Sequence, residues 1–248
     1  MWVLDEGKMV HRNIGYVPGL YKIFDEILVN AADNKQRDNS MNRLQVDIDA
    51  ENNCISVWNN GKGIPVVMHS EHNVYVPELI FGHLLTGSNF DDSEDKTTGG
   101  RNGFGAKLAN IFSTEFIVET VDSSRGLQYK QIFRDHMSIK EAPIITKCAK
   151  NATDYTCITF KPDLKCFKMT HLEQDTVSLF GKRVYDIAGK FVVVCIVYTY
   201  SVLYIVFIYG RKCLSVCIDR SRFKFECVHN TYTNFAISGL GQSLCYII

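Results

Sequence analysis

The stretch that decides how this 248-residue chain folds reads Thr97-Thr98-Gly99-Gly100-Arg101-Asn102-Gly103-Phe104-Gly105-Ala106-Lys107. Four glycines in seven positions run directly into an apolar segment with the pattern of a helix. Glycines let successive backbone N–H groups point at one anion, and a helix that begins at Gly105 adds its positive N-terminal end. We therefore predict a phosphate-binding loop, with Lys107 as a point charge beside it.

Two common nucleotide motifs do not fit this loop. A Walker A loop needs Gly-Lys followed by Ser or Thr, but Ala106 separates Gly105 from Lys107 here. A dinucleotide fingerprint needs a third glycine at position 108, which is Leu108, and a preceding strand. The polar, acidic segment 89–96 that precedes the loop predicts a surface flap instead of a strand. The kind of nucleotide must therefore be read from the rest of the chain.

Composition divides the chain into two parts. Hydrophobic residues make up 46% and charged residues 22%, which is ordinary globular usage, and the net charge is zero. Residues 1–189 carry a net charge of −4, whereas residues 190–248 carry +4 and five of the nine cysteines. The cysteine spacing matches no metal motif, so we interpret the cysteines as unpaired thiols of a reducing compartment. A net charge of −4 does not indicate a duplex-binding surface, because phosphate neutralisation needs clustered Lys and Arg.

A helix with one unusual face is predicted after Pro18. Apolar residues recur on one stripe at helical spacing, at Leu20, Ile23, Phe24, Ile27, Leu28 and Ala31. Glu26, Asn30 and Asp33 follow one another along another side of the same helix. A solvated polar face is the ordinary interpretation of such a row, but Asn is a poor helix former at an exposed position. The Asn therefore favours a ligand-binding role.

The remaining pattern predicts an α+β fold. Residues 43–49 and 54–58 alternate as a hairpin, which leads into a turn whose Gly61 and Gly63 permit close backbone approach to a flat ligand. A short helix is predicted at 77–85, then strands at 114–121, 126–134 and 153–160, with a loop at 143–151. The capping box Thr170-His171-Leu172-Glu173 predicts the start of a last helix that ends at Gly189. We expect a two-layer sandwich in which helices cover one face of a mostly antiparallel sheet.

The order of these parts resembles the ATP-binding region of eukaryotic type II DNA topoisomerases, a family with the Bergerat ATPase fold. The three segments that carry the resemblance are Phe24-Asp25-Glu26-Ile27-Leu28-Val29-Asn30-Ala31-Ala32-Asp33-Asn34, Trp58-Asn59-Asn60-Gly61-Lys62-Gly63-Ile64-Pro65 and Gly99-Gly100-Arg101-Asn102-Gly103-Phe104-Gly105-Ala106-Lys107. Segments 155–164 and 183–189 are similar to the topoisomerase branch in particular. The resemblance covers residues 1–189.

The resemblance implies a role for each matching residue. Glu26 would be the general base that orients and activates the water attacking the γ-phosphate of ATP, and Asn30 would hold Mg²⁺. Asn59 would accept a hydrogen bond from the adenine amino group with its side-chain oxygen. The residues that would contact the ribose and the phosphates are Ser88, Asn89, Gly100, Arg101, Asn102, Gly103, Phe104, Gly105, Ala106 and Lys107.

The same resemblance implies an ATP-binding and ATP-hydrolysing module of a type II DNA topoisomerase, an isomerase that couples ATP to passage of one duplex through another. DNA would be bound through the full-length enzyme, and we expect a homodimer located in the nucleus. The alternative is a truncated, non-catalytic nucleotide-binding fragment, because the family's next domain supplies a lysine to the γ-phosphate and nothing after residue 189 resembles it. A sensor kinase is a weaker rival, because no phosphoacceptor helix precedes Glu26.

Residues 190–248 form an atypical apolar and aromatic tail, and three interpretations fit it. The run 191–208 is long enough for a membrane span of about 18 residues. We favour instead a translated intron, because the tail holds 11 aromatic residues in 59 and begins at Gly189-Lys190-Phe191, whose codons can spell a splice donor. A buried β-hairpin is the third interpretation, since β-branched residues are frequent in the tail. We therefore predict domains at 1–189 and 190–248 and regard membrane insertion as the weaker hypothesis.

Overall fold

The computed structural model describes residues 1–83 and 104–189, and the backbone of five strands between residues 193 and 246. In chain order the elements are β1 (Trp2–Asp5), β2 (Lys8–His11), α1 (Pro18–Arg37), β3 (Arg43–Asp49), β4 (Cys54–Asn59), α2 (Val76–Gly82), α3 (Gly105–Ile111), β5 (Ser113–Asp122), β6 (Leu127–Arg134), β7 (Ile139–Lys140), β8 (Ile144–Lys147), β9 (Tyr155–Pro162), a 3-10 helix (Leu164–Phe167), α4 (Gln174–Gly189), β10 (Val193–Tyr198), β11 (Val202–Tyr209), β12 (Lys212–Asp219), β13 (Phe223–Thr231) and β14 (Cys245–Tyr246).

Most of these strands join one antiparallel sheet. Its order is β14-β10-β11-β12-β13-β3-β4-β9-β5-β6-β7, with β8 beside β6, whereas β1 and β2 form a separate hairpin. Along β4 and β9 every second side chain is buried, as expected for strands with helices on one face only. The predicted two-layer α+β architecture is therefore confirmed.

Helix α1 lies at the centre of the helical layer. Pro18 occupies its first turn, where the missing N–H costs nothing, and Lys35 and Arg37 lie in its last turn, where cations complement the helix dipole. Its buried stripe contains all the apolar residues predicted from the spacing, together with Ala32 and Asp33. The rings of Phe24 on α1 and Phe180 on α4 stack with their centroids 4.1 Å apart. Burial of the apolar stripe holds α1 in the core, and the stacked rings hold α1 against α4.

An ion pair also joins α1 to α4. Arg183 Nε donates to Asp25 Oδ1 over 2.6 Å, and the exposed fractions of the two side chains are 19% and 14%. Asp25 is the sequence neighbour of Glu26, so this pair joins α1 to α4 beside the candidate catalytic carboxylate. The predicted apolar positions of α4 are also buried, at Val177, Phe180, Val184 and Ile187.

Some predictions of local structure were wrong. The predicted loop at 143–151 contains β8, which pairs with β6, and the hairpin of β1 and β2 was not predicted at all. Helix α2 ends at Gly82, so the predicted helical position His83 is extended instead, and the predicted positions 84 and 85 lie outside the described residues. Thr170 does not cap α4, because the helix begins at Gln174 and Glu173 O accepts the first backbone bond from Val177 N. Thr170 Oγ1 instead lies 3.0 Å from His171 Nδ1, so the two side chains satisfy one another locally.

The described part of the tail is β-stranded. Strands β10 and β11 pair as a hairpin, and the series from β10 to β13 continues the main sheet because β13 pairs with β3. Within the described part of the chain, no helix combines the length and the apolar character needed to cross a membrane. Strand pairing agrees with the hairpin interpretation of 191–208. The division of the chain at residue 189 and the origin of the tail stay predictions.

Candidate nucleotide-binding site

A row of buried polar side chains crosses three adjacent strands of the sheet. Asn59 on β4 is the register partner of Thr156 on β9, and Thr156 is the partner of Thr120 on β5. Each residue lies on the buried face of its strand, next to apolar residues of the same series. Buried polar groups need hydrogen-bond partners, and here Thr120 Oγ1 lies 3.2 Å from Thr156 Oγ1 and Asn59 Nδ2 donates to Thr156 O over 3.5 Å. The helix-covered face therefore contains a small polar floor.

Asn34 on α1 reaches this floor. Its Nδ2 atom donates to Asn59 Oδ1 over 2.8 Å and to Lys62 O over 3.3 Å. Asn59 Oδ1 also accepts from Gly61 N over 3.2 Å. A Cβ added to Gly61 would lie 2.4 Å from Asn34 Nδ2, so glycine is needed for this bond to form. The two amides thus tie α1 to the end of β4.

The turn after β4 is held against β5 by a chain of hydrogen bonds. Ile64 N donates to Thr120 Oγ1 over 3.0 Å, and Val66 N donates to Asp122 Oδ2 over 3.0 Å. Although burial opposes ionisation of Asp122, hydrogen bonds from Ser124, Val66 and Arg125 hold the pKa of its carboxyl below the usual value. The turn is therefore a rigid wall of the site.

Gly63 allows the closest approach of this turn to β5. A Cβ built on it would lie 1.8 Å from Val121 O and 2.7 Å from Val121 C. Real Cβ atoms do not come this near to backbone atoms, so no larger residue fits while β5 keeps its place. Gly63 N also donates to Asp154 Oδ2 over 3.2 Å. The sequence predicted the need for glycine from close approach to a ligand, whereas here the approach is to the protein's own strand.

Glu26 meets the beginning of α3. Its side chain is 18% exposed, and Lys22, one turn earlier, places Nζ 2.5 Å from Glu26 Oε1. A Cβ on Gly105 would lie 1.8 Å from Glu26 Oε2. The carboxylate therefore rests against the first residue of the helix that follows the glycine-rich loop. This arrangement places a fixed base next to the point where the loop enters its helix.

Asn30 and Lys107 differ sharply in their exposure. Asn30 is exposed one turn beyond Glu26. Lys107 on α3 is only 2% exposed. Desolvation lowers the pKa of the Lys107 ammonium from 10.5 to about 8. A nearby anion would stabilise the charged form of this buried lysine.

The described residues include only part of the predicted site. Glu26, Asn30, Asn59, Gly63, Gly105, Ala106 and Lys107 lie on or beside α1, the β4 turn and α3, and Phe104 directly precedes α3. Ser88, Asn89, Gly100, Arg101, Asn102 and Gly103 lie outside the described residues, as does the predicted flap at 89–96. The helix predicted to begin at Gly105 does begin there. The roles of all these residues toward a nucleotide stay predictions.

Three residues that shape the floor of the site were not predicted from the sequence: Asn34, Thr120 and Thr156. Asn34 is the last residue of the segment 24–34, which carries part of the resemblance, but no role was predicted for it. Each threonine lies on the buried face of its strand beside apolar residues, which is the signal that would have found them. That signal becomes specific only when the register of β5 and β9 is known, because the two residues are 36 positions apart.

Comparison with known proteins assigns this arrangement to a class. Residues 15–165 match the model of the histidine kinase-, DNA gyrase B- and HSP90-like ATPases, and the chain belongs to that family. Among its relatives, DNA topoisomerase 2 of Pisum sativum is 64% identical over 191 residues, which are 77% of this chain and 13% of the relative. DNA topoisomerase 2 of Arabidopsis thaliana is 63% identical over 189 residues, or 76% of this chain and 13% of the relative.

Solved structures agree with the sequence relatives. The ATPase region of Saccharomyces cerevisiae topoisomerase II matches with a TM-score of 0.73 and 56% sequence identity, over 75% of this chain and 50% of that chain. The chain is therefore homologous to the ATPase region of type II topoisomerases, which confirms the resemblance inferred from the three segments. It spans about 13% of the length of these curated relatives.

Proposed function

We propose that this chain binds MgATP and hydrolyses ATP as the ATPase module of a type II DNA topoisomerase. The observation that carries the proposal is the contact between Glu26 and Gly105, which puts a carboxylate beside the end of the glycine-rich loop. Hydrolysis of the phosphoanhydride bond to the γ-phosphate needs a positioned water more than it needs covalent chemistry. A carboxylate fixed by a helix and a lysine meets that need.

Each part of the site has a distinct task in this proposal. Glu26 orients the attacking water and accepts its proton, while Lys22 holds the carboxylate in place from the same helix. The adenine amino group donates to Asn59 Oδ1 in place of the Asn34 amide. Lys107 and the first turn of α3 stabilise negative charge on the phosphates.

Asn30 is suited to bind the Mg²⁺ ion that the resemblance implies. Its amide is exposed on α1 and makes no hydrogen bond with the residues that the structure describes, so its oxygen is accessible to a cation. Mg²⁺ prefers oxygen ligands and is commonly held by one or two side chains together with phosphates and water. The ion, when bound, would neutralise charge on the phosphate oxygens. Asn30 is the described residue that we assign as its protein ligand.

The wider role follows from the relatives and is proposed on that ground. We infer that the chain acts within a longer protein that binds DNA, forms a homodimer and works in the nucleus, where ATP drives the passage of one duplex through another. The alternative is a nucleotide-binding fragment without turnover. The two functions share a binding site and differ in whether phosphate is released.

The test is to measure MgATP binding and steady-state phosphate release by the 248-residue chain, with GTP for comparison. Binding with turnover and preference for ATP supports the proposal. Binding without turnover favours the inert fragment. A folded chain that binds neither nucleotide contradicts both functions.

Gly105→Ala is expected to slow hydrolysis by about 10- to 100-fold while MgATP binding persists, because a displacement of about 1 Å at a catalytic group has this cost. The added methyl group meets the flexible end of Glu26, so the carboxylate moves and the fold does not. Gly15→Ala is the matched control, because a Cβ at Gly15 has nothing within 4 Å. Equal rates in the two variants would show that Glu26 does not need its present position.

ATP binding is expected to be coupled to proton uptake near pH 8. Lys107 has a pKa of about 8, and a nearby triphosphate favours its charged form, so binding at that pH takes up about half a proton. Uptake should vanish at pH 6, where the ammonium is already formed. Calorimetry in two buffers of different ionisation enthalpy measures the uptake, and Lys107→Arg, which keeps its charge, should remove it. Equal uptake by this variant would contradict the assignment.

A further inference from the structure

A group of metal-ligating side chains lies outside the nucleotide site. His136, Asp163 and Cys166 each offer one donor atom, and these atoms all lie within 4.8 Å of one another. His136 Nε2 is 3.0 Å from Asp163 Oδ2, and Cys166 Sγ donates to the same oxygen over 3.2 Å. The three donors thus converge on one point from two separate turns. We call this group the His–Asp–Cys cluster.

Both turns are fastened to the same short segment. His136 N donates to Ser113 O over 3.0 Å, and Asp163 N donates to Phe112 O over 2.8 Å. His136 follows the end of β6, whereas Asp163 caps the 3-10 helix that carries Cys166. Because backbone bonds hold both turns to the junction of α3 and β5, the donors are brought together by the fold.

The imidazole is also oriented from its other side. Asp135 Oδ1 lies 3.2 Å from His136 Nδ1. Histidines that bind metals usually make such a contact with a carboxylate or carbonyl through the nitrogen that does not face the metal. Asp135 is therefore placed to fix the ring so that Nε2 faces Asp163 and Cys166.

We propose that the His–Asp–Cys cluster binds a borderline-soft divalent transition-metal ion, with Zn²⁺ as the best fit. One nitrogen, one oxygen and one sulfur suit Zn²⁺, whereas Mg²⁺ prefers oxygen alone. Tetrahedral Zn²⁺ holds its ligand atoms about 3.3 to 3.5 Å apart. The oxygen of Asp163 lies 3.0 Å from the nitrogen of His136 and 3.2 Å from the sulfur of Cys166, so these donors need only small shifts. Cys166 releases its thiol proton to solvent on binding, and water takes the fourth position.

A second group of metal-ligating side chains among the described residues is a poorer candidate for a metal site. His69, Glu71 and His72 also bring their donor atoms within 4.8 Å, but all three come from one loop. Glu71 N donates to His69 Nδ1 over 3.3 Å, which engages one of its ligand atoms. It contains no thiol. This group therefore serves as the internal control for the proposal.

The test is metal titration of the full chain after removal of metal by a chelator. Zn²⁺ is added in competition with a chromogenic chelator, and Co²⁺ is added in parallel because a thiolate ligand gives a charge-transfer absorption band. We expect one site with that band. Cys166→Ser should remove the band, and Cys166→Ser and His136→Asn should each weaken Zn²⁺ binding by more than about tenfold, with Asp135→Asn about tenfold weaker.

The controls separate this site from other thiols and histidines. Circular dichroism verifies that each variant is folded, and His69→Asn and Cys148→Ser should bind Zn²⁺ as tightly as the unchanged chain. Persistence of the cobalt band in Cys166→Ser would overturn the proposal, as would loss of the site in His69→Asn. Absence of Zn²⁺ binding by the unchanged chain would overturn it as well.

Discussion

Replacing Glu26 with alanine is expected to lower the rate of ATP hydrolysis by about 10²- to 10⁴-fold, the usual contribution of a general base, with little change in MgATP binding. The carboxylate is held by Lys22 and rests against Gly105, so its removal takes away the group that positions water. Binding should persist because Asn59, Lys107 and the turn at Gly63 stay in place. Phosphate release and nucleotide binding are measured on the same preparation.

Asp25 provides the matched control for this prediction. It is the adjacent carboxylate on α1, but it pairs with Arg183 on α4. Asp25→Asn is therefore expected to lower the free energy of unfolding by about 2 kcal/mol, because a neutral amide leaves the partly buried Arg183 guanidinium without its opposite charge, and to leave turnover by the folded fraction nearly unchanged. The reverse result, with turnover lost in Asp25→Asn and kept in Glu26→Ala, would remove Glu26 from the mechanism.

Gly63→Ala is expected to lower the free energy of unfolding by about 3 kcal/mol or more, the upper range for overpacking. The added methyl group would lie 1.8 Å from the carbonyl oxygen of Val121. Val121 is paired with Tyr155 on β9 and with Gln128 on β6, so its backbone cannot retreat without breaking the sheet on both sides. The midpoint of urea unfolding measures the loss.

Gly15→Ala is again the control, since its Cβ meets nothing within 4 Å. We expect MgATP binding to weaken in Gly63→Ala even where the chain is still folded, because the turn carries Asn59 at one end. An unfolding midpoint equal to that of Gly15→Ala would mean that this turn does not approach β5 as described.

Features that depend on short-range periodicity could be predicted from the sequence. The buried stripe of α1 and the hairpin of β3 and β4 repeat at fixed spacing, so their residues identify them directly. Very short strands carry too few residues for a periodic signal, which is why β1, β2 and β8 were missed. Thr170 is not the cap because a capping box marks only a possible start. Leu172 is instead buried, and its backbone N–H donates to Asn53 Oδ1 over 2.9 Å outside any helix.

The candidate site was predicted in its residues but not in its contacts. Lys107 was predicted from the glycine-rich loop and the roles of Glu26 and Asn59 from the resemblance, and the three residues lie on the three elements that form the site. The contact of Gly105 with Glu26 depends on how α3 approaches α1, which no local pattern contains. The bond of Asn34 to Asn59 likewise depends on the meeting of a helix and a strand end.

The polar row of Asn59, Thr156 and Thr120 depends on strand register, so under the proposed contact of adenine with Asn59 a nucleotide would report that register. These residues come from three distant parts of the chain, and a slip of one residue in β9 would turn Thr156 to the opposite face of the sheet. A ligand that recognises the complete row binds only the correctly paired sheet, and by mass action it stabilises that pairing over every shifted alternative. ATP would then act on this chain as a folding ligand before any phosphate bond is broken.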